Sequence, residues 1–156
     1  MSLILCGPVA TVSAPGVADA TRLNVLGQRA FDDAGNEFIY LAGVASNVAY
    51  DAVSFNATTY VAVRLAADAV GRVAITPNVA ITAASWGWFQ IYGFGTVNSD
   101  TVAGAGGLFI DGTAGRVDDA SVAGDFVNGL LSTGADVANV LGVNINYPYV
   151  TNTVPA

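Results

Sequence analysis

Side chains able to perform acid–base or nucleophilic chemistry are scarce in this sequence. It contains twelve acidic residues and five arginines, but no histidine and no lysine. Histidine is the most common general base and metal ligand, and lysine forms Schiff bases and binds phosphate. Acid pairs occur at Asp32-Asp33 and Asp118-Asp119, but neighbouring residues of a strand point to opposite faces and seldom share a proton. We therefore expect no catalytic residues and no enzyme activity.

Metal, phosphate and thiol sites are equally poorly supported. Residues 32–37 (Asp-Asp-Ala-Gly-Asn-Glu) collect oxygen ligands of the kind that calcium prefers, but their spacing differs from the EF-hand loop, and a hairpin turn explains them. Residues 104–107 (Gly-Ala-Gly-Gly) lack the lysine and hydroxyl residue of a phosphate-binding loop. Cys6 is the single cysteine, which excludes an internal disulfide. We expect no metal, no cofactor and no small-molecule substrate.

Aromatic residues are concentrated in residues 86–93 (Trp-Gly-Trp-Phe-Gln-Ile-Tyr-Gly). In a strand, Trp86, Trp88, Gln90 and Tyr92 would share one face, and Phe89 and Ile91 would share the other. Such a ladder can stack on a sugar or a base, but large aromatic residues more often fill cores and protein interfaces. We favour packing in the core or between subunits, with Gln90 bound to the backbone of an adjacent strand or chain.

The segments that would position these residues have the character of β-strands. Residues 28–32 and 37–41 flank a turn at residues 33–36, where Asp, Gly and Asn tolerate positive φ, so a hairpin is predicted. Short β-branched and aromatic runs at intervals of about ten residues favour an all-β barrel or sandwich with little helix. Helical turns are possible at residues 65–69 and 118–131. The remaining predicted strands are residues 48–55, 60–65, 72–76, 86–93, 107–111, 116–119 and 140–147.

The ends of the chain differ in character from the middle. Pro8 and Pro15 interrupt residues 1–26, so this segment is predicted to be an extended arm. Residues 27–147 form the predicted compact β-barrel or β-sandwich domain, and residues 148–156 a tail. In the last strand Val143, Ile145 and Tyr147 should share a face opposite the asparagines between them. The run 38–41 is apolar on both faces, so a neighbouring chain or the arm should cover it.

Composition points toward assembly with other proteins. Hydrophobic residues make up 53% of the chain and charged residues 11%, against about 25% in soluble domains. Exposed apolar patches on such a chain usually mark interfaces, so we expect an oligomer. The net charge of −7 and the scattered arginines argue against nucleic acid and anionic membranes as partners. Neither a signal peptide nor a transmembrane helix is indicated.

Four blocks of this sequence form a pattern that occurs in a known family. They are residues 27–31 (Gly-Gln-Arg-Ala-Phe), 35–46 (Gly-Asn-Glu-Phe-Ile-Tyr-Leu-Ala-Gly-Val-Ala-Ser), 86–93 (Trp-Gly-Trp-Phe-Gln-Ile-Tyr-Gly) and 113–120 (Thr-Ala-Gly-Arg-Val-Asp-Asp-Ala). The string Gly-Trp-Phe-Gln-Ile-Tyr-Gly at residues 87–93 is the most specific piece. In type and order these blocks resemble the small proteins that decorate, or cement, the outer capsid surface of tailed bacteriophages. The chain differs from the familiar decoration proteins in its greater length and in its tail.

The resemblance implies a homotrimer that binds the major capsid protein on the outer surface of the virion. Its role would be mechanical, since a trimer that bridges several shell subunits adds contacts that must break before the shell opens. The arm could add a strand to a shell subunit by β-augmentation. The residues expected at the subunit or capsid interface are Leu3, Ile4, Leu5, Val9, Val12, Trp86, Trp88, Gln90 and Tyr92.

Two alternatives stay open at the level of sequence. The first is another virion part, namely a tail-tube, fibre or spike protein, because trimeric β proteins of similar composition occur there. The second is a carbohydrate-binding β module that would use Trp86, Trp88 and Tyr92. An enzyme is the least supported alternative.

Overall fold

The computed structural model describes residues 3–5, 14–121 and 125–152, and strands joined by turns and loops make up this part of the chain. The described residues contain no helix, and hence none long and apolar enough to cross a membrane. The predicted all-β class is confirmed. In chain order the strands are β1 (Leu3–Leu5), β2 (Arg29–Asp32), β3 (Glu37–Ala42), β4 (Ala52–Phe55), β5 (Ala62–Arg64), β6 (Gly71–Ile75), β7 (Trp86–Asn98), β8 (Gly106–Ile110), β9 (Val117–Asp118), β10 (Phe126–Ser132) and β11 (Val140–Val150).

The predicted hairpin is confirmed as the antiparallel pair β2 and β3. The carboxylate of Asp32 accepts hydrogen bonds from the backbone N–H groups of Ala34 (3.0 Å) and Asn36 (2.8 Å), and from Asn36 Nδ2 (2.7 Å). The buried carboxylate of Asp32 therefore organises the turn, and its hydrogen bonds account for the oxygen-rich residues 32–37.

All strands belong to one antiparallel sheet that folds over itself. Its main path runs β1-β2-β3-β7-β6-β11-β10-β8-β9, with β4 joined to β6 and β5 joined to β4. Strand β7 pairs with β3 along its first half and with β11 along its second half, and Tyr92 lies at the change. Strands β6, β7 and β11 each pair with both of the others, which holds the folded sheet together.

Three apolar clusters pack against the faces of this folded sheet. The first lies between β4 and β6 on one side and β8, β9, β10, β11 and the second half of β7 on the other. The second lies on the opposite face of β4 and β6, against β3 and the first half of β7. Strands β4 and β6 are therefore buried on both faces, with Val73 and Ile75 in the first cluster and Ala74 in the second.

The third cluster lies on the other face of β3 and the first half of β7. It contains Phe38, Tyr40 and Trp88, and the chain's own residues before β2 cover it. The Tyr40 hydroxyl donates to Asp19 Oδ2 (2.7 Å) and accepts the N–H of Leu23 (3.2 Å). Two apolar faces on β3 were correctly predicted, and the part of the predicted arm from residue 14 onward supplies the cover.

Two segments predicted as possible helical turns have other structures. Residues 66–69 form a turn closed by the N–H of Ala69 on the carbonyl of Ala66 (3.1 Å). Residues 126–132 form β10, which pairs with both β8 and β11. The register of β10 against β11 shifts between Asn128 and Leu130, so Gly129 forms a β-bulge. Gly129 has φ +77° and faces the carbonyl of Asn146 so closely that a Cβ would clash with it. The bulge gives β10 its irregular spacing of buried residues.

The predicted alternation of the last strand holds only as far as Ile145. Val143 and Ile145 are buried and the asparagines between them are exposed. Tyr147 has φ +45° opposite the bulge, and the alternation is reversed there, so Tyr147 is exposed and Pro148 is buried. The predicted common face of Tyr147 with Ile145 is therefore wrong.

Candidate protein-binding surfaces

The tryptophan block lies mainly in the core. Trp88 has no exposed surface, and its ring packs edge-on against Tyr40 with the centroids 5.1 Å apart. Trp86 is half-buried, and its backbone exchanges two hydrogen bonds with Asp19. Trp88 therefore has no surface to offer a partner, which corrects its predicted place in an interface. Of the three residues named for the carbohydrate-binding alternative, Trp88 cannot stack on a sugar for the same reason, whereas Trp86 and Tyr92 keep exposed surface.

Gln90 has the expected kind of partner in an unexpected place. Its Nε2 donates to the carbonyls of Tyr92 (3.2 Å) and Phe94 (2.9 Å), which lie on its own strand instead of an adjacent strand or chain. Gly93 lies between the two acceptors and has φ +101°, which glycine adopts readily. Gln90 therefore stabilises the part of β7 where the strand leaves β3 for β11.

The predicted interface residues of the arm are only partly described. The backbone of Leu3, Ile4 and Leu5 pairs antiparallel with β2 of the same chain, with Ile4 opposite Phe31. Val9 and Val12 lie outside the described residues. Of the nine predicted interface residues, Tyr92 is the one whose side chain the structure describes as clearly exposed.

A row of uncovered residues crosses the outer face of β7, β11 and β10. Phe94 lies opposite Asn144, and Asn144 lies opposite Leu131, so the three side chains share one face. Phe94 is 62% exposed and Leu131 is 50% exposed, and Tyr92 follows on the same face of β7. We call Tyr92, Phe94, Leu131 and Asn144 the apolar sheet face. It contains no charged residue.

Next to this face, a network joins β2, β3 and β11. Glu37 is buried, and its carboxylate binds Arg29 Nη1 (2.9 Å) and the hydroxyl of Tyr147 (2.6 Å). The hydrogen bond to Glu37 raises the pKa of Tyr147 above its usual value. The Tyr147 ring stacks on Tyr92 at 5.2 Å. Sequence reasoning missed this network, because Glu37 and Tyr147 are 110 positions apart.

A second uncovered region, which we call the Arg72 groove, consists of two cavities of about 690 and 400 Å³. The cavities share Phe55, Ala57 and Arg72 as lining residues. Val61, Val63 and Val70 line the larger one, and each is more than half exposed. Spacing could not reveal this groove, since β5, β6 and β11 contribute to it from distant parts of the chain.

One acidic cluster has the composition of a cation site. Carboxylate oxygens of Asp100, Asp111 and Asp118 lie within 4.8 Å of one another, and hard cations prefer such ligands. Two of these carboxylates already serve local turns, because Asp111 accepts the N–H of Thr113 (2.8 Å) and Asp118 that of Asp119 (2.6 Å). Sequence reasoning considered Asp118 only with its neighbour.

The described residues hold no assembled nucleophile and base, and their uncovered apolar surfaces are the apolar sheet face and the Arg72 groove. Two further pockets, of about 270 and 500 Å³, lie elsewhere on this part of the chain, and Arg64 and Arg116 line the larger of them. No protein-family model, curated protein or solved structure matches the chain.

Proposed function

We propose that this chain is a structural protein of a tailed-phage particle that binds the outer capsid surface as an oligomer and bridges major capsid protein subunits. The resemblance of the sequence to capsid decoration proteins of tailed bacteriophages is the reason for proposing this kind of particle. Exposed apolar surface without charge supports a role in binding proteins. The proposal includes no catalytic activity.

The apolar sheet face is the observation that carries this proposal. The accessible surface of the chain is 7250 Å², close to the roughly 7,300 Å² expected of a folded monomer of 15.8 kDa. Exposure of Phe94 and Leu131 therefore does not reflect an open or extended fold. Interface cores are poor in charged residues and rich in aromatic ones, as this face is. We assign it to contact with further copies of the chain, in keeping with the expected homotrimer.

Self-association through this face is tested by placing a charge on it. Phe94→Glu should shift the purified protein from trimer to monomer in sedimentation equilibrium, because a buried unpaired carboxylate is costly in an interface. Val25→Glu is the matched control, since Val25 is 72% exposed and lies outside the sheet face. An unchanged mass for Phe94→Glu, or a monomeric wild type, would remove the support that this face gives.

The role on the particle is tested by counting and locating the chain. Quantitative mass spectrometry of purified virions should give copies on the order of hundreds, because a decoration protein occupies symmetry-related shell positions. Cryo-electron density should place it on the outer surface over several capsid subunits. Copy numbers in the tens or fewer, or density on the tail, would favour the fibre, spike or tail-tube alternative.

The predicted role of the arm needs a deletion that spares the domain. Removing residues 2–13 takes away β1 at the end of the sheet path but leaves Asp19 and Leu23 on Tyr40, whereas a deletion to residue 20 would also remove Asp19 from the third cluster. Loss of binding to expanded capsids by a folded oligomer that lacks residues 2–13 would support β-augmentation by the arm. Unchanged occupancy would refute it.

A further inference from the structure

The Arg72 groove contains a cation without a partner. Among the described residues, Arg72 has no ion-pair or side-chain hydrogen-bond partner. In the two ion pairs of this part of the chain, Arg64 binds Asp51 and Arg29 binds Glu37. An exposed guanidinium attracts carboxylates on another molecule, all the more so on a chain that carries only five cations.

Aromatic side chains flank this cation along a cross-strand row. Arg72 lies opposite Phe55 of β4 on one side and opposite Tyr149 of β11 on the other. Directly opposed residues of antiparallel strands share a face, so the Arg72 side chain leaves the sheet between two aromatic residues. Tyr149 is 41% exposed and lines the larger cavity. An ion pair formed here would be partly screened from water by the rings, which strengthens it.

Apolar surface extends from Arg72 in both directions. The larger cavity leads to Val61, Val63 and Val70. The side chains of these three valines are exposed, so the cavity offers aliphatic surface to a ligand. The smaller cavity opens onto Ile39 and Ile91 of the second cluster, and Arg29, whose guanidinium is paired with Glu37, also lines it. A ligand that spans the groove would thus meet the valines, the unpaired Arg72 and the two isoleucines in that order.

We infer that the Arg72 groove binds a segment of a partner protein that presents an aspartate or glutamate between apolar side chains. The carboxylate pairs with Arg72, one apolar side chain enters the smaller cavity, and another covers the valines of the larger one. Identification of the partner as a capsid subunit rests on the proposed function. The chemistry of the segment rests on the groove itself.

Blocked hexapeptides test the inference by NMR titration of the ¹⁵N-labelled protein. The probe peptide has valine and leucine on both sides of a central aspartate, and its matched peptides carry asparagine or lysine instead. The aspartate peptide should bind about tenfold more tightly than the asparagine peptide, as expected for a charge-assisted hydrogen bond. Its shift changes should lie in residues 54–63, 70–73 and 147–150, and at Ile39 and Ile91 of the smaller cavity.

Charge variants make the test specific to Arg72. Arg72→Gln should lose the preference for aspartate, and Arg72→Glu should prefer the lysine peptide. Arg22→Glu changes the net charge equally at an exposed position outside the groove and should keep the wild-type preference. Because Arg72 is exposed and makes no side-chain bond, these variants should unfold at the wild-type denaturant concentration, which a parallel urea titration checks.

Four results would overturn the inference. The first is equal binding of the aspartate and asparagine peptides, and the second is shift changes confined to Phe94, Leu131 and Asn144 of the apolar sheet face. The third is peptide binding only after removal of residues 153–156, and the fourth is loss of self-association in Arg72→Glu. The third would make the chain's own end the occupant, and the fourth a second copy.

Capsid binding separates the two proposals. Wild-type occupancy of capsids by Arg72→Glu would refute the groove as the capsid contact and leave the proposed function standing. Selective peptide binding by a chain that is absent from virions would support the groove and refute the proposed function.

Discussion

Removal of the Tyr40 hydroxyl should release the segment that covers the third cluster. This hydroxyl is fully buried and joins Asp19 (2.7 Å) to the N–H of Leu23 (3.2 Å). Tyr40→Phe keeps the ring against Trp88 but leaves a buried carboxylate and a backbone N–H without this partner. A buried polar group without its partner costs about 1–3 kcal/mol, so we expect the free energy of unfolding near neutral pH to fall by about 2 kcal/mol.

The pH dependence of stability provides a second signature. Burial, together with the hydrogen bond to Asp19, raises the pKa of Tyr40 to about 12. A tyrosine titrates near 10 in the unfolded chain, so the unfolded state loses its proton first as pH rises. The stabilisation is fully present below pH 10 and is lost between about pH 10 and 12. Tyr40→Phe should lack this part of the alkaline loss.

Urea unfolding followed by tryptophan fluorescence measures both effects, because Trp88 lies beside Tyr40. Curves at about pH 8 and about pH 11.5 should show a large difference between wild type and Tyr40→Phe at the lower pH and a small one at the higher. Tyr149→Phe is the control, since that ring is exposed and its hydroxyl makes no hydrogen bond among the described residues. A Tyr40→Phe variant as stable as wild type at the lower pH would mean that the hydroxyl does not anchor the segment.

Two further changes test the ionic residues. Arg64→Leu removes the cation that binds the fully buried Asp51 (2.8 Å). Because a buried charge loses its partner, the free energy of unfolding measured in urea should fall by about 3 kcal/mol. A fall below about 1 kcal/mol would contradict the pairing. Asp100→Asn removes the one carboxylate of the acidic cluster that caps no turn, and with a chelator present the relief of like-charge repulsion should raise stability by about 0.5 kcal/mol. Calcium-dependent stabilisation of the wild type that this variant abolishes would instead make the cluster a cation site.

Local patterns predicted the parts of the fold that obey a simple period. The hairpin was visible because Asp, Gly and Asn at the turn tolerate its backbone angles. The alternation of Trp88 and Phe89 correctly placed them in clusters on opposite faces of β7. In β10 the same reasoning failed, because the bulge at Gly129 makes the buried residues Val127 and Leu130 three positions apart, as in a helix.

The surfaces were harder to predict than the fold. Tyr147 was assigned to the wrong face because its positive φ reverses the alternation, and sequence alone gives no sign of this. The Arg72 groove and the Glu37 network join strands that are far apart in the chain, so no spacing rule could find them. For Trp88, residue type alone could not distinguish an aromatic ring in a core from one in an interface.

The change of neighbouring strand at Tyr92 divides β7 into a covered half and an uncovered half. Before this change, the chain's own residues from position 14 onward cover the outer face, so the two apolar faces of β3 no longer require a neighbouring subunit. After it, Phe94 lies on a face that no described residue covers. The uncovered apolar surface of β7 therefore lies in its second half, away from the tryptophans that first suggested an interface. Because the arm, the sheet face and the groove share no residue, a deletion of residues 2–13, Phe94→Glu and Arg72→Glu test the three proposed contacts separately.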